Sequence, residues 1–112
     1  MIARLWYGST RVEDADAYVE YIERTGVAAH RATPGNRGSL VLRRESGERA
    51  DFLVLSLWES EEAVARFAGK EIGRAVYFPE DERYLIDRCD EIDHYEVVAG
   101  EASWSGAISA GS

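Results

Sequence analysis

Few side chains in this sequence combine a reactive group with a setting that could use it. His94 is the first. Only histidine changes charge near neutrality unaided, so it is the natural acid/base candidate. Glu96 lies two residues on, and in an extended segment the two share a face. The competing reading of His94 is a surface or contact histidine. Trp58 closes an apolar run, and can either stack on a flat aromatic ligand or plug the end of a sheet. Tyr77, Phe78 and Tyr84 gather in one connection, where they form either a lid over an aromatic substrate or a hydrophobic filling. His30 follows a helical pattern and reads as a helix-end or loop residue. Glu80, Asp81 and Glu82 suit a first helical turn, where the dipole favours acids. Two histidines far apart, without a spaced carboxylate pattern, make a weak metal site, and no metal is expected. The sequence has no Gly-rich phosphate loop, no serine nucleophile elbow and no dinucleotide fingerprint.

The bulk composition narrows the partners. A chain of 112 residues makes one domain with a real core. Its 13 basic and 21 acidic residues give a net charge of -8, which disfavours nucleic acid and anionic membrane surfaces. The single Cys89 excludes an internal disulfide and fits a reducing compartment. No segment reaches the length of a membrane span and the start carries no long apolar leader region, so a cytoplasmic protein is expected.

The elements that must position these residues follow from periodicity. Residues 52–58 form a strand with Phe52, Val54 and Trp58 on one face and Leu53, Leu55 and Leu57 on the other. Ser60 caps a short helix in which Ala63, Val64, Phe67 and Ala68 recur at helical spacing, and Gly69 ends it. Residues 2–9 form a first strand that is also apolar on both faces, apart from Arg4. Thr10 to Glu13 has the spacing of a capping box, with Asp14 as the alternative cap. Ala15, Tyr18, Val19 and Ile22 then predict an amphipathic helix ending near Gly26, with a further turn possible over 27–31. Residues 39–44 form a strand, and Ser46, Gly47 and Glu48 turn it into the next. In the long connection after Gly69, Ile72, Ala75 and Val76 predict a helical turn, and Pro79 opens another helix with Tyr84 and Leu85 inward. Residues 92–98 alternate as a last strand. The domain is drawn at 1–98, with 99–112 a flexible tail anchored only by Trp104.

This order is a split βαββαβ arrangement: an α+β, ferredoxin-like fold with an antiparallel four-stranded sheet. The first and third strands become the central pair, and both helices lie on one side. The opposite face is left greasy, so a homodimer through that open sheet face is expected.

The segments Leu55-Ser56-Leu57-Trp58-Glu59-Ser60, Phe67-Ala68-Gly69, Ala75-Val76-Tyr77-Phe78-Pro79-Glu80-Asp81 and His94-Tyr95-Glu96-Val97 resemble the antibiotic biosynthesis monooxygenase-like family of the dimeric α/β-barrel superfamily. The resemblance covers residues 2–98. It implies a dimeric α/β barrel with a ligand cavity between sheet and helices, with Trp6, Trp58, Phe67, Phe78 and Tyr84 as substrate-binding walls. Haem-degrading relatives use an Asn on the first strand, a Trp ending the third and a His on the next helix. Trp58 matches the Trp, but the first strand offers Trp6 or Tyr7, and no His lies between Trp58 and Tyr84. No cofactor is therefore expected. The polyketide-tailoring relatives imply a cofactor-independent monooxygenase acting on an electron-rich aromatic molecule. His94 would be its base, and Tyr77 or Arg83 would donate to the developing oxyanion. The alternatives are a non-catalytic dimeric small-molecule-binding or accessory protein, and a cofactor-free isomerase or cyclase.

Overall fold

The computed structural model describes residues 1–101, so Trp104 and most of the proposed tail lie outside the described residues. β1 (Ile2–Arg11) leads through a short tight turn into α1 (Ala15–Ile22). The helix widens into a π turn (Glu23–Val27) and closes as α2 (Ala28–Arg31). β2 (Asn36–Ser46) and β3 (Arg49–Trp58) form a hairpin, followed by α3 (Glu61–Ala68). After the irregular residues 70–80 come the single turn α4 (Asp81–Tyr84), β4 (Leu85–Arg88) and β5 (Asp93–Glu96).

The sheet is antiparallel, in the order β2-β3-β1-β4, with β5 also on β1. β1 and β3 are the central pair, as their two-faced apolar patterns require. The ten-residue register from Ile2 opposite Trp58 to Arg11 opposite Arg49 assigns the faces. Ala50, Phe52, Val54, Ser56 and Trp58 of β3 are buried towards the helices, while their neighbours are only half-buried. Tyr18, Tyr21 and Ile22 of α1 pack on Phe52 and Val54, and Ala63 and Val64 of α3 pack on Trp58. The other face presents Leu5, Leu40, Leu42, Leu53, Leu55 and Leu57, none of which enters either core cluster.

Local chemistry explains most boundaries. Gly47 takes φ 63° in the tight hairpin turn between Ser46 and Arg49. The Ser60 hydroxyl accepts from the Ala63 amide at 3.2 Å, and Gly69, at φ 82°, stops α3.

Five expectations need correction. The capping box does not form: Thr10 lies within β1 and its hydroxyl donates to the Arg11 carbonyl at 2.9 Å. Gly26 does not end the helix, because the π turn carries the chain through it. Residues 72–76 form no helical turn. After a single tight turn closed by Arg74 N donating to Glu71 O at 3.0 Å, they run as a strap bridged to residues 90–92, with Ala75 N donating to Asp90 O at 2.9 Å and Ile92 N to Gly73 O at 2.8 Å. Those same bonds draw residues 90–92 off β1, so the last strand arrives in two pieces and the sheet has five strands. Leu85, expected on a helix, opens the first piece.

Candidate functional site

The site begins on the helix-facing side of β1, where Arg4, Trp6 and Gly8 stand opposite Ser56, Val54 and Phe52. A side chain at Gly8 would fall on the Trp6 ring, so glycine lets the indole lie along the strand. Trp6 Nε1 donates to the Tyr77 hydroxyl at 3.3 Å, and Tyr77 in turn donates to the Cys89 carbonyl. The π turn contributes Gly26 to the opposite wall, α3 contributes Phe67, and the strap contributes Phe78. Between them lies a cavity of about 50 Å³. Its walls are aromatic and aliphatic, with a few polar groups from Arg4, His30, Ser56 and Asp81, the usual make-up of a small-molecule site.

The polar groups are held in defined states. Arg4 is 3% exposed and donates to the carbonyls of Ile72 at 2.6 Å and Arg74 at 3.2 Å, and to His94 Nε2 at 3.1 Å. Burial lowers its pKa to about 10, so it remains a cation at neutral pH. His30 is wedged edge-on against Phe67 and Trp58, with ring centroids at 4.5 and 5.3 Å, and its Nδ1 lies 2.8 Å from the Ser39 hydroxyl. Burial, and then the Arg4 charge, push its pKa down to about 4, so it is a neutral imidazole. His94 is lowered by the same two causes, burial first, against the weaker pull of Glu61 and Asp93. Asp81 accepts from the Tyr18 hydroxyl at 2.9 Å and the Phe78 amide at 2.6 Å. Burial, then Asp81, raises the Tyr18 phenol far above its ordinary value, so it stays a donor.

Of the residues singled out from sequence, Trp6, Phe67 and Phe78 come together at the cavity. Trp58 is fully buried behind it, stacked on Phe67 at 5.8 Å and donating to the Ser56 hydroxyl at 2.9 Å. Tyr84 packs on Tyr18 and Tyr21, each at 5.6 Å. Arg83 faces water, with its side chain 71% exposed and paired to Glu80. Tyr77 meets the back of Trp6, and burial raises its phenol to about 12. His94 reaches the site through Arg4.

Sequence reasoning gave none of Arg4, His30 and Gly26 a place in the site: Arg4 was the odd residue of an apolar strand, His30 a helix-end or loop residue and Gly26 a helix terminator. The one available signal was Arg4 itself, a charge set in an otherwise apolar strand. No cluster of metal-ligating side chains occurs among the described residues.

No family profile and no curated protein matches this sequence. Solved structures do. A protein described as a candidate antibiotic biosynthesis monooxygenase from Bacillus cereus superposes with a TM-score of 0.60 at 19% identity, over 91% of this chain and 97% of its own. Another so described, from Nitrosomonas europaea, gives 0.62 at 14%, over 88% and 100%. The haem degrader MhuD from Mycobacterium tuberculosis, solved with two haems in its active site, gives 0.59 at 20%, over 91% and 100%. The likeness is one of architecture: this chain shares the α+β, ferredoxin-like fold of proteins named as antibiotic biosynthesis monooxygenases, the group its own motifs resemble.

Proposed function

We propose that this chain is a small oxygenase acting on an electron-rich aromatic molecule held between its sheet and its helices. The observation that carries this reading is the cavity walled by Trp6, Phe67 and Phe78, with a buried cation at one end. Fold neighbours named as monooxygenases support the reaction class.

The chemistry in this reading needs no cofactor. An ionised phenol or enol gives one electron to O₂, and the resulting radical and superoxide combine into a C–O–O bond. Loss of the proton on that carbon with hydroxide from the O–O bond leaves a carbonyl and water, so CH₂ and O₂ become C=O and H₂O. The chain's part is to hold the ring, exclude water and stabilise the anion. Arg4 takes the oxyanion role that Tyr77 or Arg83 was expected to fill. His94, the expected base, accepts from Arg4 at Nε2 and helps hold the guanidinium in place.

A porphyrin does not fit these residues. The cavity, at about 50 Å³, is too small as it stands for any aromatic ligand, so the side chains and not the volume decide. His30 is wedged between rings and His94 Nε2 is turned to Arg4. Even one benzene needs a cavity of roughly 150 Å³, so a ligand enters only if residues 70–80 move outward.

A second reading, binding without turnover, is favoured by His30. An imidazole held near pKa 4 is a poor base for a phenol. Oxygen uptake with a panel of anthrones and naphthols separates the two. Uptake above buffer that falls in Trp6→Ala supports the oxygenase, and ligand binding without uptake leaves the binding protein.

The open leucine face belongs to the same reading. Leu5, Leu53 and Leu55 are apolar and uncovered by any described helix, which favours a homodimer built sheet to sheet. The polar set Tyr7, Ser9, Arg49 and Asp51 bounds that face at one end, with Ser9 Oγ donating to Asp51 at 2.6 Å. A cytoplasmic location, inferred from the lone Cys89, completes the proposal.

A further inference from the structure

Arg4 is a buried charge without a carboxylate partner among the described residues. A guanidinium has five N–H donors and no acceptor. Three hydrogen bonds engage it, and all three acceptors are neutral: two backbone carbonyls and an imidazole. Among the described residues no carboxylate forms an ion pair with it. A charge taken out of water ordinarily recovers its lost hydration from an opposite charge, and carbonyl dipoles replace only part of it.

The guanidinium also faces the right neighbours for a ligand. It lines the cavity beside Ser56 and His30, and lies 5.7 Å from the centre of the Phe67 ring. The one carboxylate in that lining, Asp81, stands at the other end. Asp81 binds Tyr18, Tyr18 packs on Phe52 at 5.3 Å, and Phe52 is opposite Gly8. Gly8 lies four residues along β1 from Arg4, about 14 Å at the rise of an extended strand. Both Asp81 oxygens already have donors. The lining therefore carries one cation with no ion pair among the described residues and one carboxylate whose two oxygens are already bonded.

We propose that the cavity takes a small aromatic anion, its carboxylate or phenolate oxygen paired with Arg4 and its ring against Trp6, Phe67 and Phe78. This rests on the cavity being the ligand site and on Arg4 facing the anion, as proposed above, and adds that the ligand binds already charged, carboxylates included, and that Arg4 selects it over neutral analogues. The incoming oxygen replaces the Ile72 and Arg74 carbonyls on the guanidinium. Those carbonyls belong to the strap, so anion binding and outward movement of residues 70–80 are one event. A neutral analogue gives the cation nothing in exchange for them, and a cationic one is repelled.

The test is calorimetric titration of the full chain in mildly alkaline buffer with matched probes: 2-naphthoate against 2-naphthamide, and 4-nitrophenolate against 4-nitroanisole. Each anion is expected to bind at least about ten-fold tighter than its neutral partner, the gain of one charge-assisted bond. Arg4→Met is expected to abolish the preference and Arg4→Lys to retain most of it. If Arg4→Met does not fold, the wild-type pairs and Arg4→Lys decide. A preference in the naphthoate pair alone assigns a carboxylate ligand, and in the nitrophenolate pair alone a phenolate. Neutral probes binding as tightly as anions overturn the charge assignment and leave the cavity as the ligand site. Binding by none of the four overturns both.

Discussion

Arg4 and His94 face each other at paired positions of β1 and β5, with Nη1 of one 3.1 Å from Nε2 of the other. The guanidinium can only donate, so Nε2 accepts and the imidazole proton sits on Nδ1. Protonating Nε2 would remove that bond and set two cations in contact. His94 should therefore titrate below the ordinary histidine value, in line with the lowering that burial and Arg4 impose. Nitrogen-detected NMR should show the Nδ1–H tautomer. The midpoint should rise in Arg4→Met, and an unmoved midpoint would show that the pair does not form.

His30 ties stability to pH. Its folded pKa is about 4 against 6.5 for the free side chain, so below about pH 6.5 the unfolded chain binds the proton first. The stability it supports is complete above pH 6.5 and drains away as pH falls towards 4. The full loss is roughly 3 kcal/mol at about 1.4 kcal/mol per unit. Urea unfolding at several pH values should show this slope in the wild type, and a shallower one in His30→Gln. Parallel curves for the two proteins would contradict it.

Gly26 trades stability against space. It sits in the π turn with a helical backbone, and a methyl there would rest 3.8 Å from Ile22 and 3.9 Å from Phe78. Both are ordinary contacts, so Gly26→Ala should stabilise the chain by roughly 0.5–1 kcal/mol. The same methyl projects into the cavity and should weaken binding of the aromatic probes. A higher melting temperature together with lower affinity is the expected pairing.

Leu55 stands at the middle of the open face, opposite Leu5 on one side and Leu40 on the other. Leu55→Glu would set a charge there without disturbing the helix-facing core. Light scattering should give a dimer for the wild type and a folded monomer for the variant. A wild-type monomer at micromolar concentration would remove the sheet-to-sheet dimer.

Trp58 is fully buried and bonded to Ser56, so it should behave as core. Trp58→Ala should cost roughly 3–5 kcal/mol in denaturant unfolding. Trp6→Ala, at the half-buried cavity wall, should cost less and reduce probe binding more. Equal losses of stability at the two positions would count against separate roles.

The sequence alone determined the elements whose cause is local. The two-faced apolar run from Phe52 to Trp58, the Ser60 cap, the Gly47 turn and the Gly69 stop each act within a few residues, and each is found where the pattern puts it. The order of elements then left little choice of fold, since two strands greasy on both faces must lie inside. The site was a different matter. Arg4 reaches Ile72, Arg74 and His94 across 68, 70 and 90 positions of chain. His30 gains its surroundings from Ser39, Trp58 and Phe67. Such contacts depend on strand register and on the path of the strap, and no periodicity within a segment records either. Tertiary structure alone decided that a strand arginine would lose water without gaining a carboxylate among the described residues, because burial is a property of the assembled layers and not of the residue.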